Sequence, residues 1–413
     1  MPKAELGVWL DDVRVATLER RRWNDLRLRY SDQALSRWPR NAPIVSCSLP
    51  LDDRPQKATE FCVGLLPEGR ALEALAARAG VSVTDTFELL ARYGRDVAGA
   101  LVFANAAIDR AAQSVEPYTP DSLAVAVGEL ADQPLGVQDD SELSIAGLQD
   151  KLLLVRAPDG SWGRPVHGAP STHILKVEDR RWPGMAVAEG AALRLAEAIE
   201  LTAIAPEVID AGGIPCLVVR RFDRELGDGG AVQRLHQEDL CQALGRSPRG
   251  PGGRGKYEAF GGPGLLDLAR LLDQYAVDGV AELERLLAAV VFGVAIGNAD
   301  AHAKNLAVVH RTPTHVELAP LYDTVPTVLW PRLRDQLAMT VGGVTRASEV
   351  GRDALVKEAT AWGLSRDRAR SVIAATALAL DAAVARGVVA DVPALGEHVR
   401  FATRRLREGS VTS

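Results

Sequence analysis

The chain has 413 residues, of which 47% are hydrophobic and 25% charged, an ordinary globular composition that excludes disorder for most of the chain and suffices for two or three domains. Its formal net charge of −6 argues against nucleic-acid binding as the main role, because proteins that bind the phosphate backbone directly carry a basic excess. No apolar run reaches the roughly 20 residues of a membrane-spanning helix, and the N-terminus lacks an apolar signal core, so we expect a cytoplasmic protein without membrane contact.

The first 105 residues mix strand-like and helical patterns. A β-hairpin is predicted over residues 5–19, turning at Asp11 and Asp12. Further predicted strands and helices follow it, the strands over 26–30, 44–49 and 98–103 and the helices over 70–78 and 83–93. Together they predict a small α+β subdomain for residues 1–105.

The rest of the chain is β-rich at first and mainly helical afterwards. In the region 106–230, the pattern predicts three strands and one helix, the strands over 151–156, 173–177 and 215–222 and the helix over 186–200. In the region 231–413, helices dominate, apart from a hairpin over 306–318. This order predicts two lobes, with a ligand site in the cleft between them.

The four cysteines give no indication of a metal site. None lies at the spacing of zinc ligands, so we predict free, buried thiols at Cys47, Cys62, Cys216 and Cys241.

A dense polar cluster follows the most apolar predicted helix, residues 281–296. The helix is nearly apolar in its second half and ends at Gly297. The cluster then places five polar side chains in eight residues, namely Asn298, Asp300, His302, Lys304 and Asn305. Polar groups so close to a core must be hydrogen-bonded or used in function.

The spacing within this cluster is that of a kinase catalytic loop. Asp300 and Asn305 match the pattern D-x-x-x-x-N, in which the Asp accepts the hydroxyl proton and the Asn holds Mg²⁺. The hairpin over 306–318 should return the chain to Asp323, where a kinase has its metal-binding carboxylate. Taken singly, each residue also fits a turn or cap. Jointly they predict an ATP- and Mg²⁺-dependent phosphoryl-transfer centre and an α+β, two-lobed, protein-kinase-like fold.

Three other segments are candidates for phosphate binding. Lys176 lies inside an apolar strand-like run and could pair with Glu189 or Glu197 of the next helix, although a lysine of this kind also fits the protein surface. The segment 144–151 could cover phosphates through backbone N–H groups, but its single glycine makes the pattern weak. The basic loop 246–256 fits either phosphate contact or a solvated tether.

Nine segments of the chain resemble the HipA family of serine/threonine kinases, the toxin half of HipBA-type toxin–antitoxin pairs. They run in the family's order over roughly residues 1–330, and are 64–69, 94–100, 144–151 (Ser-Ile-Ala-Gly-Leu-Gln-Asp-Lys), 172–176, 221–224 (Arg-Phe-Asp-Arg), 235–239, 256–258 (Lys-Tyr-Glu), 297–305 (Gly-Asn-Ala-Asp-Ala-His-Ala-Lys-Asn) and 320–323 (Pro-Leu-Tyr-Asp). As a set they are far more specific than any one of them.

The resemblance implies roles for individual residues. Asp300 would be the catalytic base, and Asn305 and Asp323 would hold Mg²⁺. The ATP contacts implied are Lys176, His302, Lys304, Arg220 and Phe222 at the hinge, and Ser144, Ala146 and Gly147 in the loop that covers ATP. Ser144 matches the serine whose autophosphorylation ejects that loop and inactivates the kinase. The family commonly has a glutamate where this chain has Arg220.

The resemblance also implies partners. A small helix-turn-helix antitoxin of the HipB type would bind the kinase and link it indirectly to operator DNA. The family's known substrates are aminoacyl-tRNA synthetases. Two other functions stay open at this point: a nucleotide-binding corepressor with little phosphotransfer, and a kinase acting on a small molecule or lipid.

Overall fold

The fold is described from a computed structural model over residues 4–22, 25–107, 112–130, 133, 135, 143–145, 149–227, 231–333 and 335–408. The strands are β1 Ala4–Leu10, β2 Val13–Arg22, β3 Asp25–Tyr30, β4 Gln56–Lys57, β5 Leu101–Phe103, β6 Ser114–Pro117, β7 Lys151–Arg156, β8 Trp162–Val166, β9 His173–Val177, β10 Pro206–Asp210, β11 Pro215–Arg220, β12 Arg224–Leu226, β13 Val232–Arg234, β14 Gln237–Asp239, β15 Ala307–Thr312, β16 His315–Leu318, β17 Gln336–Val341 and β18 Val344–Arg346. The α-helices are α1 Asp32–Arg37, α2 Thr59–Gly64, α3 Gly69–Ala79, α4 Thr86–Tyr93, α5 Pro120–Gly128, α6 Met185–Ala198, α7 Leu240–Ala243, α8 Leu265–Tyr275, α9 Gly279–Ile296, α10 Arg352–Ala361, α11 Arg366–Ala385 and α12 Pro393–Glu408.

The N-terminal part is a five-stranded sheet in the order β4-β3-β2-β1-β5, packed with helices α1 to α4 around its own apolar core. The predicted hairpin is confirmed, with Asp11 at a φ of 53° in its turn. Residues 44–49 were predicted as a strand, and this prediction is wrong. The segment is buried but irregular, because its polar groups bond across the chain to Glu238, which accepts from Ser46 Oγ and the Cys47 N–H.

The second sheet has six strands in the order β10-β11-β9-β7-β8-β6. Strand β9 pairs antiparallel with both β7 and β11, so Lys151 and Lys176 are direct cross-strand partners. Side chains of such partners lie on the same face of a sheet. Helix α6 contacts strands β10 and β11, and this contact places Glu189 beside Lys176.

The C-terminal part is built around helix α9, which is buried along most of its length. Helices α8, α10, α11 and α12 all contact it. The three-stranded sheet β14-β15-β16 and the hairpin β17-β18 complete this lobe. The predicted hairpin over 306–318 is confirmed as β15 and β16, whereas β8 and the pair β17-β18 were not predicted. The boundaries at residues 105 and 230 stay predictions.

Among the described residues, no helix combines the length and apolar character needed to cross a membrane. The four cysteines are free and buried, as the sequence predicts.

Candidate active site

The loop after helix α9 is held by hydrogen bonds within the loop and to Thr327. Gly297 ends the helix at a φ of 71°, and a side chain there would come within 2.5 Å of Val328 Cγ1, so glycine satisfies two requirements. The Asp300 N–H donates to Asn298 Oδ1 at 3.0 Å. The Ala299 N–H donates to Thr327 Oγ1 at 2.9 Å. The polar density seen in the sequence therefore partly serves to fix this loop.

The Asp300 side chain is exposed. Its Oδ1 accepts the Tyr257 hydroxyl at 3.0 Å. Crowding by protein atoms raises the pKa of Asp300, the Tyr257 hydrogen bond and Lys256 lower it, and Asp323 raises it. The balance is a raised pKa, which suits a carboxylate that must accept a proton.

Asn305 and His302 lie beside Asp300. The Asn305 side-chain N–H donates to the Asp300 carbonyl at 3.1 Å, which leaves the amide oxygen as the atom that could meet a cation. His302 is buried, and its Nδ1 has no hydrogen-bond partner. Burial lowers the pKa of His302 to about 3. His302 is therefore neutral at physiological pH.

Asp323 is in the left-handed region with a φ of 53°, which is uncommon for residues other than glycine. Its Oδ1 is in direct contact with Lys176 Nζ. The neighbouring Tyr322 hydroxyl donates to the Lys304 carbonyl at 2.8 Å, so the hairpin does bring its two ends together. Burial alone would raise the pKa of Asp323, but Lys176 and Lys151 outweigh it and lower that pKa to about 2.

Lys176 is buried between two carboxylates. Its Nζ lies 2.6 Å from Glu189 Oε1 and also contacts Asp323. Burial favours the neutral amine, but the two carboxylates prevail and raise the pKa of Lys176. The structure thus selects Glu189 as the partner and leaves Glu197 aside, in the arrangement that kinases use for their strand lysine.

Lys151 is a second buried lysine beside Lys176, and the sequence alone predicts no role for its side chain. It is 8% exposed and faces the same side of the sheet as Lys176. Burial lowers its pKa to about 8, with Asp323 acting to raise it and Lys176 to lower it. The sequence does contain a pattern that could have indicated this lysine, because Lys151 begins an apolar run in the same way that Lys176 interrupts one.

The side chains of this site are chemically suited to bind a nucleoside triphosphate together with Mg²⁺. An amide oxygen and a carboxylate, on Asn305 and Asp323, are the hard ligands that Mg²⁺ prefers. Lys151 and Lys176 are cross-strand partners on one face of the sheet, and ammonium groups form charge-assisted hydrogen bonds with phosphate oxygens.

The two residues predicted at the hinge, Phe222 and Arg220, have different surroundings. Phe222 stacks on Tyr322 with ring centroids 5.5 Å apart, while the Arg220 side chain is exposed. The charged residues on either side of Phe222 form a buried ion cluster with the N-terminal part. Arg224 Nη2 lies 2.8 Å from Asp96 Oδ1, and Asp223 Oδ2 accepts the Gly99 N–H at 2.7 Å.

Lys304 does not point its side chain to Lys176 and Asp323. Its ammonium group is buried and donates to Asp239 Oδ2 at 2.7 Å and to the Gly64 carbonyl at 3.1 Å. The structure therefore gives this side chain a contact with the N-terminal part, and only its backbone carbonyl, which accepts from Tyr322, lies on the Asp323 side.

Ser144 is fully buried in this conformation. Its Oγ donates to the Leu65 carbonyl at 3.3 Å, and its N–H donates to the Asp96 carbonyl at 3.0 Å. Both partners belong to the N-terminal part. The other two residues predicted in the ATP-covering loop, Ala146 and Gly147, lie outside the described residues.

A second group of ligand-type side chains is buried away from the cleft. Cys47, Glu238 and His310 bring one ligand atom each within 4.8 Å of one another. Hydrogen bonds already account for the cluster, since Glu238 Oε1 accepts both the Cys47 N–H at 2.8 Å and His310 Nε2 at 3.0 Å. We therefore assign it to the contact between the N-terminal part and strand β14.

Comparison with known families decides the relationship. The HipA-like C-terminal domain matches residues 143–384, and the HipA N-terminal domain matches residues 6–104. The chain belongs to the HipA family. Among curated proteins, it is 36% identical to Y4mE of Sinorhizobium fredii, a candidate kinase, over 84% of this chain and 83% of that protein. It is 30% identical to the serine/threonine-protein kinase toxin HipA of Shewanella oneidensis, over 74% of this chain and 71% of that protein.

A solved structure shares the HipA fold over nearly the whole chain. It is the Shewanella oneidensis HipA in complex with HipB and operator DNA, with a TM-score of 0.79, 26% identity, and coverage of 97% of this chain and 96% of that one. The predicted α+β, kinase-like fold is confirmed. The family assignment from the nine sequence segments is confirmed as well.

Proposed function

We propose that this HipA-family protein transfers the γ-phosphoryl group of ATP to a serine or threonine hydroxyl of a protein. The observation that carries the proposal is the placement of Lys176 between Glu189 and Asp323, with Asp300 and Asn305 on the adjoining loop. Positioning and charge neutralisation are most of what phosphoryl transfer requires, and these residues can supply both.

Each residue has a defined part in the proposed reaction. Lys176 and Lys151 would bind phosphate oxygens, and Asn305 and Asp323 would hold Mg²⁺, which neutralises charge on the phosphates when bound. Asp300 would orient the acceptor hydroxyl and take its proton as the oxygen attacks phosphorus. Phe222 and Tyr322 would flank the nucleotide base from the hinge side.

Ser144 is proposed as the site of autophosphorylation. Its hydroxyl is buried against Leu65, so the segment that carries it must open before the hydroxyl can reach ATP. Once phosphorylated, a group with nearly two negative charges could not return to this site without a large desolvation cost. The modification would therefore hold the segment open.

For partners, we propose a HipB-type helix-turn-helix antitoxin in the cytoplasm, with DNA reached only through it. The support is the structural relative, which is a complex of HipA with HipB and operator DNA. The net charge of −6 agrees with indirect contact to DNA. An aminoacyl-tRNA synthetase is the class of protein substrate that family membership offers.

The test is phosphoryl transfer from ATP radiolabelled on the γ-phosphate, in the presence of Mg²⁺. The wild type should label Ser144 and a protein in a cell extract. Asp300→Asn should reduce labelling by about 10²-fold or more while ATP binding persists, because only the proton acceptor is lost. Asp159→Asn, in an exposed turn, is the matched control and should label as the wild type does.

Full labelling by Asp300→Asn would contradict the role of Asp300. ATP binding by the wild type without transfer to any protein would instead favour a corepressor. Label found in a metabolite or lipid fraction would favour a non-protein acceptor.

A further inference from the structure

The hydroxyl of Tyr257 makes direct contact with the proposed catalytic base. It donates to Asp300 Oδ1 at 3.0 Å. Among the residues that the structure describes, Asp300 Oδ2 has no hydrogen-bond partner, and the Asp300 side chain is exposed, so Tyr257 holds one oxygen of the carboxylate and leaves the other open to a substrate. No role for Tyr257 follows from the sequence, beyond its place in the segment 256–258.

Tyr257 is itself held against the catalytic loop. The Ala303 N–H donates to the Lys256 carbonyl at 3.1 Å, so the two segments are joined through their backbones. The Tyr257 ring meets the His302 ring edge-on, with centroids 5.2 Å apart. The Gly262 N–H donates to the Tyr257 carbonyl at 3.0 Å. These contacts fix both the ring and the direction of its hydroxyl.

The neighbouring Lys256 connects this arrangement to the N-terminal part. Its Nζ lies 3.1 Å from Glu68 Oε2, and both side chains are largely buried at 5% and 15% exposure. Glu68 immediately precedes helix α3. An ion pair so shielded from solvent restrains Lys256 more firmly than a surface pair would.

A carboxylate acting as a general base needs one oxygen free for the incoming proton and a fixed orientation. In many active sites a third group supplies the orientation by hydrogen-bonding the base. We propose that Tyr257 is the positioning residue for Asp300, and that Glu68 of the N-terminal part holds Tyr257 in place through Lys256. This inference rests on the proposed kinase function and adds a catalytic task for the N-terminal part.

Tyr257→Phe tests the hydroxyl alone, because phenylalanine keeps the ring against His302. The assay measures kcat and the KM for ATP, with a degenerate serine/threonine peptide library as acceptor and Mg²⁺ present. We expect kcat to fall roughly tenfold, the scale of one hydrogen bond to a charged group. The KM for ATP should stay unchanged, because the hydroxyl that is removed contacts Asp300, whereas the ring that meets His302 is kept.

A second pair of variants separates positioning from packing. Tyr257→Ala should lose no more activity than Tyr257→Phe if the hydroxyl is what matters. Glu68→Gln should give a smaller fall in kcat, again at constant KM for ATP. Tyr275→Phe, a partly buried tyrosine at the end of helix α8, is the matched control and should behave as the wild type.

Several outcomes would overturn the inference while the kinase function stands. One is a Tyr257→Phe variant with the kcat of the wild type, and another is a change confined to the KM for ATP. Detection of phosphotyrosine at position 257 by mass spectrometry would also overturn it, since Tyr257 would then be an acceptor. If the wild type itself transfers no phosphate to any acceptor, the proposed function fails and this inference with it.

Discussion

At the scale of single residues, the candidate site contains charged side chains of types that are seldom buried, such as Lys151 and Lys176. Lys176 was predictable because a lysine inside an apolar strand needs a reason, and Asp300 and Asn305 because of their five-residue spacing. Lys151 has the same sign in sequence, but its importance depends on a strand register that no local pattern encodes. Tyr257 could not be predicted, since only the tertiary fold places it 3.0 Å from Asp300.

Lys151 offers a test of this interpretation. Burial lowers its pKa to about 8, which means that the folded protein disfavours the charged ammonium. Lys151→Met should therefore leave the free energy of unfolding unchanged or raise it, while weakening ATP binding by about tenfold through loss of a charge-assisted contact. Calorimetric titration and urea unfolding measure the two effects. An unchanged Kd for ATP would show that Lys151 does not bind phosphate.

At the scale of elements, alternating and helical patterns predicted the N-terminal hairpin, helices α3, α4, α6 and α9 and the hairpin β15-β16. They failed at residues 44–49, where an apolar run without regular structure is fixed by a buried glutamate almost two hundred positions away in the chain. The placement of Arg220 and Phe222 at the nucleotide hinge stays a prediction. No role was predicted for the charged side chains of Arg221, Asp223 and Arg224, which build the buried ion cluster between the end of strand β11 and the loop before β5.

This cluster predicts how stability depends on pH. Burial would raise the pKa of Asp223, but Arg221 and Arg224 outweigh it and lower that pKa to about 2. In the unfolded chain the group titrates near pH 4. Its contribution is therefore complete above about pH 4 and is lost as pH falls toward about 2.

Asp223→Asn should lower the free energy of unfolding by about 3 kcal/mol at neutral pH, because two buried arginines lose a carboxylate. It should also flatten the decline of stability below about pH 4. Urea unfolding across that range measures both effects. Asp210→Asn, at the exposed end of strand β10, serves as control. An equally steep decline in Asp223→Asn would mean that another group dominates the acid response.

At the scale of the whole molecule, the N-terminal part is joined to the rest of the chain at several separate places. Three contacts meet the short stretch from the last residue of helix α2 to the start of helix α3: Ser144 Oγ on Leu65, Lys304 on Gly64 and Lys256 on Glu68. The division of the chain into these parts and the cleft between the lobes stay predictions. The sequence could not predict this convergence, because each contact joins residues more than seventy positions apart in the chain.

The central claim is that Asp300, Asn305, Asp323 and Lys176 form a working phosphoryl-transfer centre for protein substrates. The most direct measurement is quantitative phosphoproteomics after induced expression, comparing the wild type with Asp323→Ala. The wild type should produce phosphoserine or phosphothreonine on at least one cellular protein, and on Ser144, that are absent with Asp323→Ala. Identical phosphoproteomes from the two, at equal expression of folded protein, would contradict the claim.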